Sequence, residues 1–185
     1  IRRLERMLVS DGVAVVKVHL HVGPELQRRR LRKLHSDKRT RWRVTPEDLW
    51  EAAHYRRVER AVEHCLEVTE QPAAPWHLVD GTDRQHRALA VGKVLLAGIE
   101  GRIGKTRTGA GAAGSIAASR ARKFARLPTS HRGARIAEED YDSGLEELQG
   151  RLALLSRRRR FAKHSVVVAF EGMDAGGKGG AIRRI

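Results

Sequence analysis

The segment 172–179 has the residue types and the spacing of a phosphate-binding loop. It reads Gly-Met-Asp-Ala-Gly-Gly-Lys-Gly and matches the pattern G-x-x-x-x-G-K-[S/T] in all but the last position. Glycines let the backbone wrap closely, so that successive N–H groups can point at phosphate oxygens. Lys178 would bring a mobile positive charge to the same phosphates. We therefore expect Lys178 to act in catalysis and the backbone to bind phosphate at Gly172, Ala175, Gly176, Gly177, Gly179 and Gly180.

The last position of this loop departs from the usual pattern. Phosphate-binding loops normally end in Ser or Thr, whose hydroxyl binds Mg²⁺, whereas this chain has Gly179. A metal ion must then be held by other groups, and Asp174 is the candidate, both as a metal ligand and as a catalytic residue. The alternative interpretation is a glycine-rich turn with an incidental lysine. The context favours the phosphate loop, because a strand-like apolar run precedes it and a helix is expected to follow from Ala181.

The remaining pattern indicates strands that alternate with helices. Residues 13–22 and 76–79 are predicted strands, the first because its polarity alternates with a period of two. Thr45 and Pro46 form a helix start, as N-cap and first helical residue, and one helix or a pair of helices should follow to about residue 70. Further helices are predicted at 25–34, 83–99 and from 138 onward, and a third strand at 165–170.

A basic segment separates the two structured parts. Residues 101–135 contain no Asp or Glu and are rich in Gly, Ala, Ser, Arg and Lys. They lack apolar periodicity, so we predict a flexible linker at 101–136 with a brief helix at 117–124, and trypsin should cut there first. The whole chain has 37 Lys and Arg against 22 Asp and Glu, a net charge of +15. This charge favours a polyanionic partner, either nucleic acid, a membrane surface, nucleotide phosphates or polyphosphate.

Cysteine and histidine residues add no candidate site. A single cysteine, Cys65, excludes a disulfide framework within the chain. It lies in an apolar stripe at 58–66 and is expected to be a small core residue. We interpret the histidines as structural or surface residues because none of them has metal-ligand spacing: His19, His21, His54, His64, His77 and His86. No apolar run approaches the length of a membrane span.

Residues 170–182 resemble the Walker A segment of the second polyphosphate kinase family, the polyphosphate:nucleotide phosphotransferases. The family pattern is F-E-G-x-D-A-A-G-K-G-G-A-I, and only Gly176 departs from it. The first hundred residues resemble the C-terminal part of the same family. Residues 4–12 are similar to F-E-R-M-L-x-x-D-G, 17–21 to K-F-x-L-H, 41–48 to the lid segment R-W-K-x-S-P-E-D, and 74–80 to A-P-W-x-x-V-D.

This resemblance implies an α/β fold, a P-loop kinase-like parallel sheet flanked by helices, in two incomplete copies. In a family domain the phosphate loop precedes the lid, but here the late motifs come first. A window across two tandem domains explains the order most simply, and tandem domains occur in this family among enzymes that phosphorylate AMP. Residues 1–100 would then end a first domain, 101–136 would be the linker, and 137–185 would begin a second domain. Circular permutation is the alternative.

The function implied by the resemblance is transfer of a phosphoryl group from inorganic polyphosphate to AMP, or less favourably ADP, with Mg²⁺ as cofactor. Arg39, Arg41 and Arg43 correspond to the lid, although Thr40 replaces its usual lysine. The basic run 28–33 is either a wall of the polyphosphate channel or a solvated helix face. We expect a cytoplasmic homo-oligomer with no specific nucleic-acid partner and no membrane partner.

Two other functions stay open at this point: a basic nucleic-acid-binding protein, and an ordinary NTP-dependent P-loop kinase. The basic stretches lack the interleaved aromatic residues that stack on nucleic-acid bases, which argues against a nucleic-acid-binding protein. Gly179 argues weakly against an NTP-dependent kinase. We also expect the isolated 185-residue chain to be inactive. The strands between phosphate loop and lid belong to neither segment, so the sheet should have a gap at its centre.

Overall fold

The structure, a computed structural model, describes residues 1–105, 136–173 and 175–184. The part of the predicted linker beyond residue 105, the predicted short helix at 117–124 and Asp174 lie outside the described residues.

Three parallel strands form the centre of the fold. They are β1 (Ala14–His21), β2 (Trp76–Asp80) and β3 (Val166–Gly172), in the order β2-β1-β3. All three begin or end within two residues of the predicted positions, so the expected parallel α/β sheet is confirmed.

The expected gap at the centre of the sheet is absent, and that prediction was wrong. The phosphate-loop strand β3 pairs directly with β1, from Ala14 opposite Val166 to Leu20 opposite Gly172. On its other edge β1 pairs with β2, from Lys17 opposite Trp76 to His21 opposite Asp80. Seven of the eight residues of β1 are buried, as in a central strand of a parallel sheet. Residues from before and after the predicted linker therefore share one sheet.

The helices mostly begin where the sequence predicts. The helix α3 (Pro46–Ala53) starts with a capping box, in which Thr45 Oγ1 accepts from Asp48 N at 3.3 Å and Asp48 Oδ2 accepts from Thr45 N at 2.7 Å. The complete set is α1 (Arg2–Ser10), α2 (Pro24–Ser36), α3, α4 (Tyr55–Thr69), α5 (Arg84–Lys105), α6 (Glu138–Ser156) and α7 (Lys178–Ile182), with 3₁₀ turns at Arg41–Arg43 and Phe161–Lys163.

Two helix boundaries differ from the prediction. Helix α5 continues to Lys105, so residues 101–105 belong to a helix and not to the linker. Arg102 anchors this end, because its Nε donates to the carbonyl oxygen of Gly12 at 2.8 Å. Helix α7 begins at Lys178, three residues before Ala181.

The core lies on both sides of α5. One side packs against the sheet, where Val91 and Leu95 meet Val18 and Leu20. The other side packs against α6 in a second cluster, which contains Ala88, Leu89, Leu96, Tyr141, Leu148 and Leu155. A helix covered on two sides needs apolar residues around most of its circumference, which explains the composition of 83–99. Helices α5 and α6 thus join the two parts of the chain through this second cluster.

Cys65 is exposed, and its assignment to the core was wrong. The buried residues of α4 are Tyr55, Glu59, Leu66 and Thr69, so the buried stripe passes beside Cys65. Among the described helices, none combines the length and the apolar character that crossing a bilayer requires.

Candidate phosphate-binding site

The carboxyl ends of the three strands meet at one edge of the sheet. His21 and Asp80 are register partners at the ends of β1 and β2, and Leu20 pairs with Gly172 at the end of β3. The turn after β2 is tied to β1, because Gly81 N donates to His21 O at 2.7 Å. In open parallel sheets, ligands bind at this edge. The phosphate loop, which follows β3, therefore lies where a ligand is expected.

The backbone of the loop depends on glycine at two positions. Gly172 has φ +148° and Gly177 has φ +95°, both in the region that favours glycine. A Cβ on Gly172 would overlap the carbonyl oxygen of Leu20 on the paired strand. Between them, Gly176 N donates to Met173 O at 2.9 Å and closes a turn. The loop conformation is thus set by its glycines and by its contact with β1.

We expect Gly172→Ala to destabilise the chain by about 2 kcal/mol or more, because strain at a positive φ adds to a clash with buried backbone. Gly179→Ala is the matched control, since a Cβ there meets no atom within 4 Å. Urea unfolding of the two variants and the unchanged chain measures the difference. Equal stability of both variants would contradict the described pairing of β3 with β1.

Lys178 lies at the start of α7, with its side chain folded back over the loop. Its Nζ donates to the carbonyl oxygen of Gly172 at 2.5 Å, and the residue is half-buried. The ammonium group therefore lies against the end of β3, beside the hydrogen bond between Gly176 N and Met173 O. A phosphate bound by this loop would lie within reach of a flexible cation, as the sequence pattern predicts.

Arg30 on α2 reaches the loop and joins it to the turn after β2. Its Nη1 donates to Ala175 O at 2.8 Å, and its Nη2 donates to Gly81 O at 2.9 Å and Thr82 O at 2.8 Å. Arg30 belongs to the basic run 28–33, whose other basic members are exposed: Arg28, Arg29, Arg32 and Lys33. One member of the run therefore lines the site and the others form a solvated face.

Arg87 on α5 approaches the same loop from the core. It is only 5% exposed, and its Nη1 donates to Gly81 O at 2.9 Å and to Gly176 O at 3.3 Å. Burial lowers the pKa of both guanidinium groups, on Arg30 and on Arg87, below the usual arginine value. Repulsion from neighbouring arginines lowers both pKa values further. Sequence reasoning missed Arg87. The sequence signal that could have identified it is a charged residue next to Ala88 and Leu89, in a helix that is otherwise largely apolar.

A buried histidine lies close to Lys178. His19 on β1 is fully buried, and within the described residues neither ring nitrogen has a hydrogen-bond partner. Burial lowers its pKa from 6.5 to about 4, with smaller contributions from the positive charges of His21 and Lys178. The interpretation of His19 as a structural residue agrees with this burial. Its neutral state at pH 7 adds no repulsion to the Lys178 ammonium.

The predicted lid residues lie on the surface and do not contact the phosphate loop through any described hydrogen bond or ion pair. Arg39, Arg41 and Arg43 flank or form the exposed 3₁₀ turn around Trp42, which is 80% exposed. Arg39 pairs with Asp37 at 3.6 Å, and Arg41 Nε donates to His35 O at 3.1 Å. In the described part of the chain, no hydrogen bond or ion pair joins these arginines to the phosphate loop. The lid assignment stays a prediction.

The family model for polyphosphate kinase 2 matches this chain over residues 1–107 and 135–185, which is most of its length. The chain belongs to the polyphosphate kinase 2 family. The match does not include residues 108–134, which lie inside the predicted linker.

Several curated polyphosphate phosphotransferases match the chain. It is 35% identical over 184 residues to the polyphosphate:AMP phosphotransferase of Pseudomonas aeruginosa, covering 99% of this chain and 37% of the relative. The protein of the same name from Pseudomonas syringae pv. tomato is 34% identical over 185 residues, with the same coverage. The AMP/ADP-polyphosphate phosphotransferase of Meiothermus ruber is 30% identical over 101 residues, 55% of this chain and 38% of that protein. The chain thus spans little more than a third of these relatives. No solved structure matches it.

Kinases that transfer phosphoryl groups use divalent metal ions, which neutralise the charge of the phosphates. Among residues 1–105, 136–173 and 175–184, no group of three or more His, Cys, Asp or Glu side chains could hold such an ion. Glu171 lies at the end of β3, but its exposed carboxylate accepts from the N–H of Gly172 at 3.1 Å. Asp174, the predicted ligand, is outside the described residues. The described residues alone therefore do not form a metal site in this polyphosphate kinase 2 chain.

Proposed function

We propose that this chain is part of an enzyme that transfers a phosphoryl group from inorganic polyphosphate to a nucleotide, AMP rather than ADP. The observation that carries the proposal is the loop at the carboxyl edge of the sheet, where Lys178, Arg30 and Arg87 converge on residues 172–177. The two Pseudomonas relatives are named polyphosphate:AMP phosphotransferases, which supports AMP as the acceptor.

The chemistry of the loop suits this reaction. Phosphoryl transfer needs little covalent participation from a protein and depends on positioning and charge neutralisation. The glycine-rich backbone would position the phosphates, and Lys178 would move with the transferred group because its stem is flexible. The exposed Arg39, Arg41 and Arg43 would bind further phosphates of the polymer. A divalent ion, proposed to be Mg²⁺ held with the help of Asp174, would neutralise charge on the phosphates when bound.

We further propose the tandem arrangement, with residues 1–100 from one domain, a linker at 101–136, and 137–185 from a second domain. Residues 101–105 are helical, so the linker is shorter by these five residues. The match to the Pseudomonas aeruginosa relative runs along 99% of this chain. The same order of segments therefore occurs in a longer protein, which supports tandem copies over a permutation peculiar to this chain. The pairing of β1 with β3 fits this proposal if β1 is the position where a phosphate-loop strand docks in either copy.

The test uses the full-length protein with Mg²⁺ and polyphosphate of defined length. We expect ADP to form from AMP faster than ATP forms from ADP, because the acceptor is proposed to be AMP. Product formation with ATP as donor, but not with polyphosphate, would favour an ordinary NTP-dependent kinase. Absence of product from both AMP and ADP in a folded protein would contradict the proposed function. Inactivity of the isolated 185-residue chain, and self-association of the enzyme, stay predictions.

A further inference from the structure

We infer that Arg30 and Arg87 are positioning residues, which hold the phosphate loop by its carbonyl oxygens and so fix the direction of its N–H groups. The inference rests on the proposed function in one respect, that the ligand of the loop is a phosphate chain. Neither arginine belongs to the G-x-x-x-x-G-K pattern, and both come from the part of the chain that precedes the predicted linker.

The first part of this arrangement is the bridge made by Arg30. One guanidinium group donates to Ala175 O and also to the carbonyl oxygens of Gly81 and Thr82. A guanidinium is a rigid, planar group with five N–H donors, so it can join two backbone segments at a fixed separation. The phosphate loop after β3 is thereby connected to the turn after β2, although β1 lies between these two strands.

The second part is the buried support made by Arg87. It shares Gly81 O with Arg30 and reaches Gly176 O, one residue further along the loop. Its guanidinium lies directly against the Cα of Gly177, where any Cβ would overlap it. Glycine at 177 is favoured by its φ of +95°, and any side chain there would also have to displace the Arg87 guanidinium.

These contacts fix two successive peptide units. In a planar trans peptide, the C=O of one residue and the N–H of the next point in opposite directions. Because Gly176 O faces Arg87, the N–H of Gly177 points away from Arg87. Because Ala175 O faces Arg30, the N–H of Gly176 points away and donates to Met173 O at 2.9 Å. Since the N–H of Gly176 is used within the loop, the orientation that the arginines set for a backbone phosphate cradle is that of the Gly177 N–H.

The charges of the two arginines are not neutralised by close ion pairs. In the described residues, neither has a carboxylate within salt-bridge distance. Longer-range attraction comes from Asp80 and Asp83 for Arg30, and from Asp83 for Arg87. Two guanidinium charges and the Lys178 ammonium therefore surround the same loop. A polyanion would compensate the two guanidinium charges, so the arginines would both shape the loop and raise its affinity for phosphate.

The experiment separates shape from charge in the 185-residue chain. Arg30→Lys keeps the positive charge but loses the planar group that bridges three carbonyl oxygens, whereas Arg30→Gln loses both. Arg28→Gln is the matched control, because Arg28 is an exposed basic residue of the same helix. For each protein we would measure hydrogen–deuterium exchange of residues 172–180 without ligand, the Kd for inorganic tripolyphosphate, and the melting temperature.

We expect both Arg30 variants to exchange about tenfold faster in the loop and to bind tripolyphosphate about tenfold more weakly, as for loss of a hydrogen bond from a charged donor. The control should stay within about twofold of the unchanged chain. Exchange and Kd of Arg30→Lys equal to those of the unchanged chain would overturn the inference, because charge alone would then suffice. Weakening by Arg28→Gln as large as by Arg30→Gln would also overturn it.

Two further results are distinguishable. If the unchanged chain does not bind tripolyphosphate, phosphate binding by the loop of this chain is contradicted, and loop exchange without ligand still decides whether Arg30 positions the loop. Arg87→Gln should act like Arg30→Gln with a larger fall in melting temperature, because Arg87 is buried. If Arg87→Gln does not fold, the two Arg30 variants decide the inference.

Discussion

Replacing Lys178 by alanine in the full-length protein is expected to lower phosphoryl transfer from polyphosphate about 100- to 1,000-fold, the range seen when one preorganised group that stabilises transition-state charge is removed. The reason lies in its position: the side chain is anchored at Gly172 O, beside the turn that would hold the phosphates. A loss confined to kcat would indicate that the ammonium acts mainly in the transition state.

Lys163→Ala is the matched control for this variant. It removes the same charge from an exposed position in the 3₁₀ turn that precedes β3. Both variants should keep a melting temperature close to that of the unchanged protein, since the hydrogen bond from Lys178 to Gly172 O contributes on the order of 1 kcal/mol. Near-normal turnover in Lys178→Ala would contradict the catalytic assignment.

The local structure of this chain could be predicted because its signals are local. Thr45, Pro46 and Asp48 lie within four residues and form the capping box without help from the rest of the fold. The alternation along 13–22 marked the position of β1, although the polar residues of its second face are buried as well. The loop at 172–179 was recognisable because its glycines and Lys178 are adjacent in sequence.

The parts that could not be predicted depend on which distant segments meet. Arg30 and Arg87 are separated from residues 175 and 176 by 145 and 89 positions, and no spacing rule connects them. The pairing of β3 with β1 was missed for the same reason, although the strongly apolar character of β1 already indicated a central strand.

The misplacement of Cys65 had a different cause. Its helix has two adjacent apolar rows, and only packing decides which of them is buried. Tyr55 settles this choice, because its hydroxyl donates to Val22 O at 2.9 Å and turns that side of α4 toward the core. A sequence pattern alone treats both rows as equivalent.

His19 is expected to make the stability of the chain depend strongly on pH. Its pKa is lowered to about 4 in the folded chain, first by burial and then by the charges of His21 and Lys178, whereas the unfolded value is about 6.5. Above pH 6.5 the imidazole is neutral in both states and costs nothing. Between pH 6.5 and 4 the unfolded chain binds a proton that the folded chain does not, so the free energy of unfolding falls as pH falls. The full loss is about 3 kcal/mol.

Urea unfolding of the 185-residue chain between pH 7.5 and pH 4.5 measures this dependence, and His19→Gln should remove most of it. His64→Gln is the matched control, because His64 is an exposed histidine and its replacement should leave the slope unchanged. His77, whose pKa burial also lowers, contributes equally in all three proteins and cancels from the comparison. The same slope in His19→Gln and in the unchanged chain would show that His19 takes up its proton as readily in the folded state as in the unfolded state. In that case the imidazole could not be as fully buried as described.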